Sequence, residues 1–436
     1  MRHKTSRGIM SRRVVITGMG TINPLAHDVE ETWRALLACK SGISRTELFD
    51  ASTFPSTFSA QVKDFDLARY VTNAERHATA GRHCGFAIAA AVQAWKQSRL
   101  ADCDDLDAER LGLYLGSGEG SLDFDNFTSL MVDAWSDGGV DTRKWAELAF
   151  QRMDLWREFE QESNMVVAHL AGEFGVRGPA FNVLTACAAS TQAMGEAAMQ
   201  IRHGDADVVI SGGAHSMIHP YGVTGFNRLT ALSTRNDEIE TSSRPFDLTR
   251  DGFVLGEGAS ILILEDYDFA AERGANMLAE IIGYGSSADA FRITDQDPNG
   301  DGAAASMHAA LKDAKLKPTD IDYVSAHGTG TQQNDQVETK AIKQVFGDNA
   351  HKVPVSSVKS MMGHLIAAAG ATELVSCVLA LRDQVIPPTT NYTTPDPACD
   401  LDYVPNKPRP AELHTIMSNS FGFGGQNDTL IITPVQ

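Results

Sequence analysis

Basic residues are scarce in this chain: 37 Lys and Arg stand against 56 Asp and Glu, a formal net charge of -19. A surface so charged repels phosphate backbones and anionic head groups, which argues against nucleic acid as a partner. Cysteine is sparse too. The six (Cys39, Cys84, Cys103, Cys187, Cys377 and Cys399) show no CxxC spacing, which disfavours a disulfide framework and a structural zinc site and fits a reducing cytoplasm. No apolar run approaches the roughly 20 residues that span a bilayer, so no membrane span is expected. The opening MRHKTSRGIMS is basic but enters RRVVITG without an apolar stretch, unlike a secretory signal.

What is present is the composition of packed globular protein: 43% hydrophobic and 21% charged residues, with 37 Gly and only 16 Pro in 436 residues. That length suits two domains or one large duplicated α/β unit. VVITGMG, LGLYLGSG, FNVLTA, DVVISGGA and ASILILED read as central strands of a sheet covered on both faces. After Arg273 the theme restarts with MLAEIIGYGSS, IDYVSAHGTGT, VPVSSVKS, HTIMSNSFGFGG and DTLIITP. FNVLTA leads into the small-residue helix AASTQAMGEAAMQIRHGD, and VPVSSVKSMMGH into LIAAAGATELVSCVLALRDQ, so two similar halves are expected. The division is an N-terminal extension over 1–13, one half over 14–270, and a second over 271–436. Residues 122–160, rich in Trp and acids, read as an inserted, mostly helical cap, or equally as a surface excursion.

Three reactive residues lie at the exits of these strands. Cys187 sits where NVLTACAAS passes from strand to helix, facing the positive end of the helix dipole, which favours thiolate. His327 lies on the Gly-rich turn SAHGTGTQQND, and His364 at the mouth of the second small-residue helix. Taken singly, the cysteine reads more readily as an inert buried thiol and each histidine as a structural residue. Together they occupy matching exits at the carboxyl edge of the sheet, where open α/β sheets gather their sites. NSFGFGGQND sets Phe423 among three glycines, able to aim backbone N–H groups at an oxyanion.

TACAAS, AHGTGT, VKSMMGH and NSFGFGGQN, in this order, resemble the signature set of the elongating β-ketoacyl-acyl carrier protein synthases, from about Val14 to the C-terminus. The resemblance implies a thiolase-like fold, two α/β halves layered α-β-α-β-α. It implies that Cys187 takes an acyl group from a carrier thioester while the backbone N–H groups of Cys187 and Phe423 hold the oxyanion. His327 and His364 then donate to the malonyl thioester as CO2 departs, and the carbanion attacks the acyl-Cys187 carbonyl, without metal or cofactor. By the same resemblance Lys359 and Glu373 form a supporting charged pair, Asp335 and Glu338 a structural acidic pair beside the His327 loop, and Thr329 and Thr331 hold the pantetheine arm. The implied partners are an acyl carrier protein, bearing acyl and malonyl groups on phosphopantetheine, and a second copy in a homodimer.

Four positions depart from the family pattern. Glu119 stands where relatives carry an apolar acyl-pocket residue, Thr230 where they carry a docking-rim arginine, Arg292 where they carry a histidine, and Gln426 where they carry a threonine. Arg228 is the candidate substitute at a rim expected to be locally basic. These departures keep open a specialised polyketide or secondary lipid ketosynthase. A non-catalytic chain-length partner would lack the nucleophile, and a thiolase would carry a second cysteine near SNSFGFGGQN, where there is none.

Overall fold

The computed structural model describes residues 12–436; of the N-terminal extension expected over 1–13, residues 1–11 lie outside it. The strands are β1 (Val14–Ile22), β2 (Leu111–Ser117), β3 (Ala180–Val183), β4 (Val208–His215), β5 (Gly258–Asp266), β6 (Ala279–Ala288), β7 (Tyr323–Ser325), β8 (Val355–Ser356), β9 (Ile416–Phe421) and β10 (Gln426–Thr433). They form one 10-stranded sheet in the order β8-β7-β9-β10-β6-β1-β5-β4-β2-β3.

The strand order shows the duplication directly. From its edge to the junction, the first set runs β3-β2-β4-β5-β1 and the second β8-β7-β9-β10-β6, the same sequence of strands five places on. The directions repeat as well. β2 pairs β3 and β4 in parallel and β5 pairs β4 and β1 antiparallel, as β7 pairs β8 and β9 in parallel and β10 pairs β9 and β6 antiparallel. The sets meet where β1 and β6 pair antiparallel, Val14 opposite Ile281.

The helices that matter are α1 (Arg82–Ser98), α2 (Phe124–Asp133), α3 (Thr142–Arg152), α4 (Leu155–Phe159), α5 (Met165–Phe174), α6 (Ala189–His203), α7 (Pro220–Arg228), α8 (Asp301–Ala314), α9 (Gln332–Phe346) and α10 (Ala369–Asp383). α6 and α10 touch each other and strands of both sets, whereas α1 covers the outer face of the first set and α8 that of the second. The layers are therefore α-β-α-β-α. In α10 every residue from Ala369 to Leu381 is buried, as a helix apolar all round must be. Small residues permit the central layer: a Cβ on Gly116 of β2 would lie 2.3 Å from the Ala189 backbone. Met194, Ile201, Leu374 and Val378 fill the space between the strand sets with Ile16, Leu264, Ile416 and Ile432.

One sequence expectation changes. FNVLTA is not a central strand: β3 ends the sheet, and Phe181 and Leu184 are exposed. Residues 122–160 contain α2, α3 and α4 with a small hairpin between Trp135–Ser136 and Gly139–Val140. Asp141 and Asp154 accept from backbone N–H groups in the first turns of α3 and α4, the local cause of those two helix starts.

Candidate active site

The duplicated strand-to-helix exits converge. In the first, a 3-10 turn over Ala186–Ala188 precedes α6; in the second, a 3-10 turn over Ile366–Ala368 precedes α10. Ala186 and Ile366 hold the matching left-handed φ values of 48° and 46°, costly for residues with a Cβ and characteristic of positions the surroundings over-determine. The turn at Ala186 presents Cys187, and the turn at Ile366 follows His364.

Cys187 Sγ lies 3.0 Å from His364 Nε2, and the Cys187, His327 and His364 side chains each bring an atom within 4.8 Å of the others. The imidazoles stand edge to face with centroids 5.4 Å apart. Phe253 packs against His364 at 5.2 Å and Phe421 against His327 at 5.7 Å. The Ile366 N–H donates to His364 Nδ1 at 3.3 Å. The proton of the neutral ring therefore sits on Nε2, where it is given to the sulfur.

The second ring is aimed through its backbone. Glu338 accepts from the N–H groups of His327 and Gly328, both at 2.8 Å. Asp335 accepts from Phe246 at 2.7 Å and Gly330 at 3.2 Å. Lys359 Nζ donates to the His327 carbonyl at 2.6 Å and to the Glu373 carboxylate. Thr331 caps α9 by accepting from Asn334 N–H, and its hydroxyl lies 3.0 Å from that of Thr329.

Burial dominates the electrostatics. It holds His327 and His364 well below the ordinary imidazole value, with Lys359 adding to the effect. Burial pushes Glu373 and Glu338 up to about 7, against Lys359 in one case and the backbone N–H groups of Gly328 and His327 in the other. It also corrects the expectation for the nucleophile: the Cys187 thiol is pushed up to about 12, against the pull of Lys359 and of the backbone N–H groups of Phe423 and Cys187. Helix position alone does not make a thiolate here, because desolvation outweighs it. Those two N–H groups nonetheless face the sulfur.

A cavity of about 430 Å³ opens onto these groups, lined by Cys187, His327, His364, Phe423, Thr329 and Thr331 among others. Cys, His and His are donor types for zinc. The Ile366 N–H, however, occupies His364 Nδ1 and puts a proton on the nitrogen that would have to ligate.

The remaining candidates lie outside the cavity. Glu119 is exposed and does not line it. Arg228 is exposed at the end of α7, beside Leu229 and Thr230, which do line it. Arg292 pairs with Asp295 at 3.1 Å. The cavity lining carries Asp251 and Asp295 and, among the described residues, neither Lys nor Arg. Gln426 is half-buried at the start of β10.

One important residue was passed over. Arg250, almost fully buried, binds Asp396 at 2.7 Å and lies 3.4 Å from Asp335, while donating to the carbonyls of Thr331 at 3.2 Å and Gln332 at 3.1 Å. It ties the loop of His327, in the second half, to the first half. Only its place among glycine and acids in LTRDGF could have flagged it.

The chain matches the family described as "Beta-ketoacyl synthase, N-terminal domain" over residues 11–270 and "Beta-ketoacyl synthase, C-terminal domain" over 278–393. It is 43% identical to the 3-oxoacyl-[acyl-carrier-protein] synthase 2 of Coxiella burnetii, covering 97% of this chain and 99% of that one. It is 40% identical to the protein of that name from Vibrio harveyi, with the same coverage. Among solved structures, a β-ketoacyl synthase from Burkholderia phymatum superposes with TM-score 0.87 at 32% identity, over 98% of this chain and 100% of that one. A type II polyketide ketosynthase in complex with its acyl carrier protein gives 0.86 at 33% identity, with the same coverage.

Proposed function

The chain belongs to the β-ketoacyl synthase family, and from that premise we propose how its residues divide the work of a condensing acyltransferase in fatty acid elongation. Cys187 attacks the carbonyl of an acyl-carrier thioester. The tetrahedral oxyanion forms against the backbone N–H groups of Cys187 and Phe423, and the carrier thiol leaves with a proton. Malonyl carrier then binds with its pantetheine arm along Thr329 and Thr331. His327 and His364 donate to its thioester oxygen while the carboxylate leaves as CO2, and the enolate carbon attacks the acyl-Cys187 carbonyl. The new carbon–carbon bond forms as the carbon–sulfur bond to Cys187 breaks, and a proton returns to the thiolate.

The observation that carries this reading is the meeting of sulfur, two uncharged imidazoles and two backbone N–H groups in one cavity. Neutral imidazoles suit an enolate, because fixed donors in a dry site stabilise it without passing through an imidazolium. Asp335 and Glu338 fix the His327 loop, and Lys359 with Glu373 ties that loop to α10. Phe423, half-buried at the cavity wall, gates the acyl site. The test is incubation with malonyl carrier and a ladder of acyl carriers, products resolved by mass. A β-ketoacyl carrier two carbons longer than its primer is expected; CO2 release without a lengthened product from any primer overturns the reading.

The partners follow the same proposal. The unpaired outer edge of β3, with Phe181 and Leu184 exposed, supports pairing with a second copy of the chain. No helix among the described residues is long and apolar enough to cross a membrane, and the six cysteines are free, which supports work in the cytoplasm. The division at about residue 270, with a cap over 122–160, is supported by the repeated strand order. Arg228 is the proposed contact for the acidic carrier. Arg228→Glu should raise the apparent KM for acyl carrier about tenfold, less so at high salt, and spare transfer from a small acyl thioester. Equal losses with both substrates would remove it from the docking surface.

A further inference from the structure

β2 and β4 run in parallel with Ser117 opposite Ala214, and alternate residues of both face the central helix layer. A Cβ on Gly116 would lie 2.3 Å from the Ser190 nitrogen, and one on Gly213 would lie 2.6 Å from the Ala367 carbonyl oxygen. Two residues further on, by the two-residue period of a strand, Gly118 and His215 face the same way. They stand just past the turns that present Cys187 and His364, and they share one space. A Cβ on Gly118 would be 2.5 Å from His215 Nδ1, so only a glycine leaves room for the ring. His215 also lies close enough to His364 to oppose a charge on that ring.

Within the fold this ring is left incomplete. It is 3% exposed, and its Nε2 has no hydrogen-bond partner among the described residues. Burial, with His83 and His219 nearby, pushes it down to about 3. The ring is therefore neutral, with one nitrogen to donate and one to accept. An orphaned buried polar atom in a native fold points to a partner that arrives from outside it. The route to this one is apolar. Cys187 packs in one cluster with Ile218, Val223, Phe253 and Ile366, and Ile218 and Val223 belong to the segment that leaves β4 at His215 and forms α7. His215 stands behind the open cavity, not in its lining, so a chain that reaches it parts this wall.

We propose that the acyl chain held by Cys187 runs along this apolar wall to His215, and that His215 Nε2 hydrogen-bonds a hydroxyl group on that chain. The inference rests on the condensing reading above and narrows its substrate class to hydroxylated acyl chains over plain saturated ones. A hydroxyl fits whichever nitrogen holds the proton, since it accepts from an Nε2–H and donates to a bare Nε2. A carboxylate does not fit, because a neutral ring offers it no opposite charge and the wall offers it no water. A saturated chain leaves Nε2 orphaned, and the site discriminates against it for that reason.

The test is the initial rate of Cys187 acylation, read by intact mass, from pairs of acyl carriers of equal length, one saturated and one with a hydroxyl at each successive carbon. At one position, or two adjacent ones, the hydroxylated primer should load about tenfold faster than its saturated partner, the worth of one hydrogen bond. H215L keeps an apolar side chain there and should erase that difference. Equal rates at every position, the result if only water meets Nε2, overturn the proposal, as does a preference that survives H215L. Should H215L not fold, G118A decides. Its methyl displaces the ring without touching Cys187 and should abolish the preference; an unchanged preference overturns the assignment to His215. Acylation by no primer of either kind is a separate failure, that of the condensing reading itself.

Discussion

Cys187→Ser is expected to abolish both acyl loading and condensation, a loss of ~10³-fold or more in kcat/KM, because no strong base stands ready to activate a hydroxyl there. His364 presents Nε2–H to the sulfur, and a ring fixed in that tautomer cannot also accept a proton at the same nitrogen. The thiol, pushed up by burial, is therefore drawn toward thiolate by donors, and serine lies too far from that range to follow. Intact mass after incubation with acyl carrier reads the outcome, and full acylation of the serine variant would refute the assignment. Cys187→Gln places a carbonyl between the two oxyanion N–H groups and mimics the acylated enzyme. It should decarboxylate malonyl carrier without condensing; a folded variant that has lost decarboxylation would overturn the division of labour between sulfur and imidazoles.

His327→Ala and His364→Ala should each lower malonyl decarboxylation by about 10²- to 10³-fold, the usual cost of one fixed donor to a developing oxyanion. Measured in the Cys187→Gln background, this effect is separated from loading. The pH dependence follows from the depressed imidazoles. Both rings remain neutral above their lowered values, so decarboxylation in that background should stay level across about pH 6 to 8 rather than fall through the usual imidazole range. A clear acid limb near the ordinary value would mean that one ring is charged in the resting protein. Stable decarboxylation after loss of either ring would remove it from the enolate site.

Much of this was readable in the chain because the chemistry lies in short contiguous runs. TACAAS places Cys187 at a helix entrance, AHGTGT places His327 on a turn, and NSFGFGG exposes backbone N–H groups, each by local geometry alone. The two Ala-rich helices announced the duplication for the same reason, since a helix that must lie between two strand sets needs small residues along its length. Less could be read where burial decides. The dipole argument for Cys187 ranked a local effect above desolvation, and desolvation depends on everything packed around the sulfur. Which side chains line the cavity is another such case: Glu119 does not, while Asp251 and Asp295 do. The exposure of Glu119 and the Arg292–Asp295 pair arise from how loops lie, which no pattern of spacing records.

By itself, then, the sequence determined the reactive groups, their order and the duplicated α/β halves, because these follow from residue type, periodicity and turns that act within a few positions. Tertiary structure alone decided which groups meet and in what state. Cys187 and His364 are 177 positions apart, and only folding the second half against the first sets sulfur beside imidazole. The tautomer of His364 depends on one backbone N–H, the thiol on the closure of the cavity, and the loop of His327 on a buried Arg250 reaching across the halves. Glu160, His169, His77 and Glu173 are joined only through tertiary contacts of 2.8 to 3.3 Å. Electrostatic and hydrogen-bonding energies depend on distance and burial, and neither exists along a chain until it has folded.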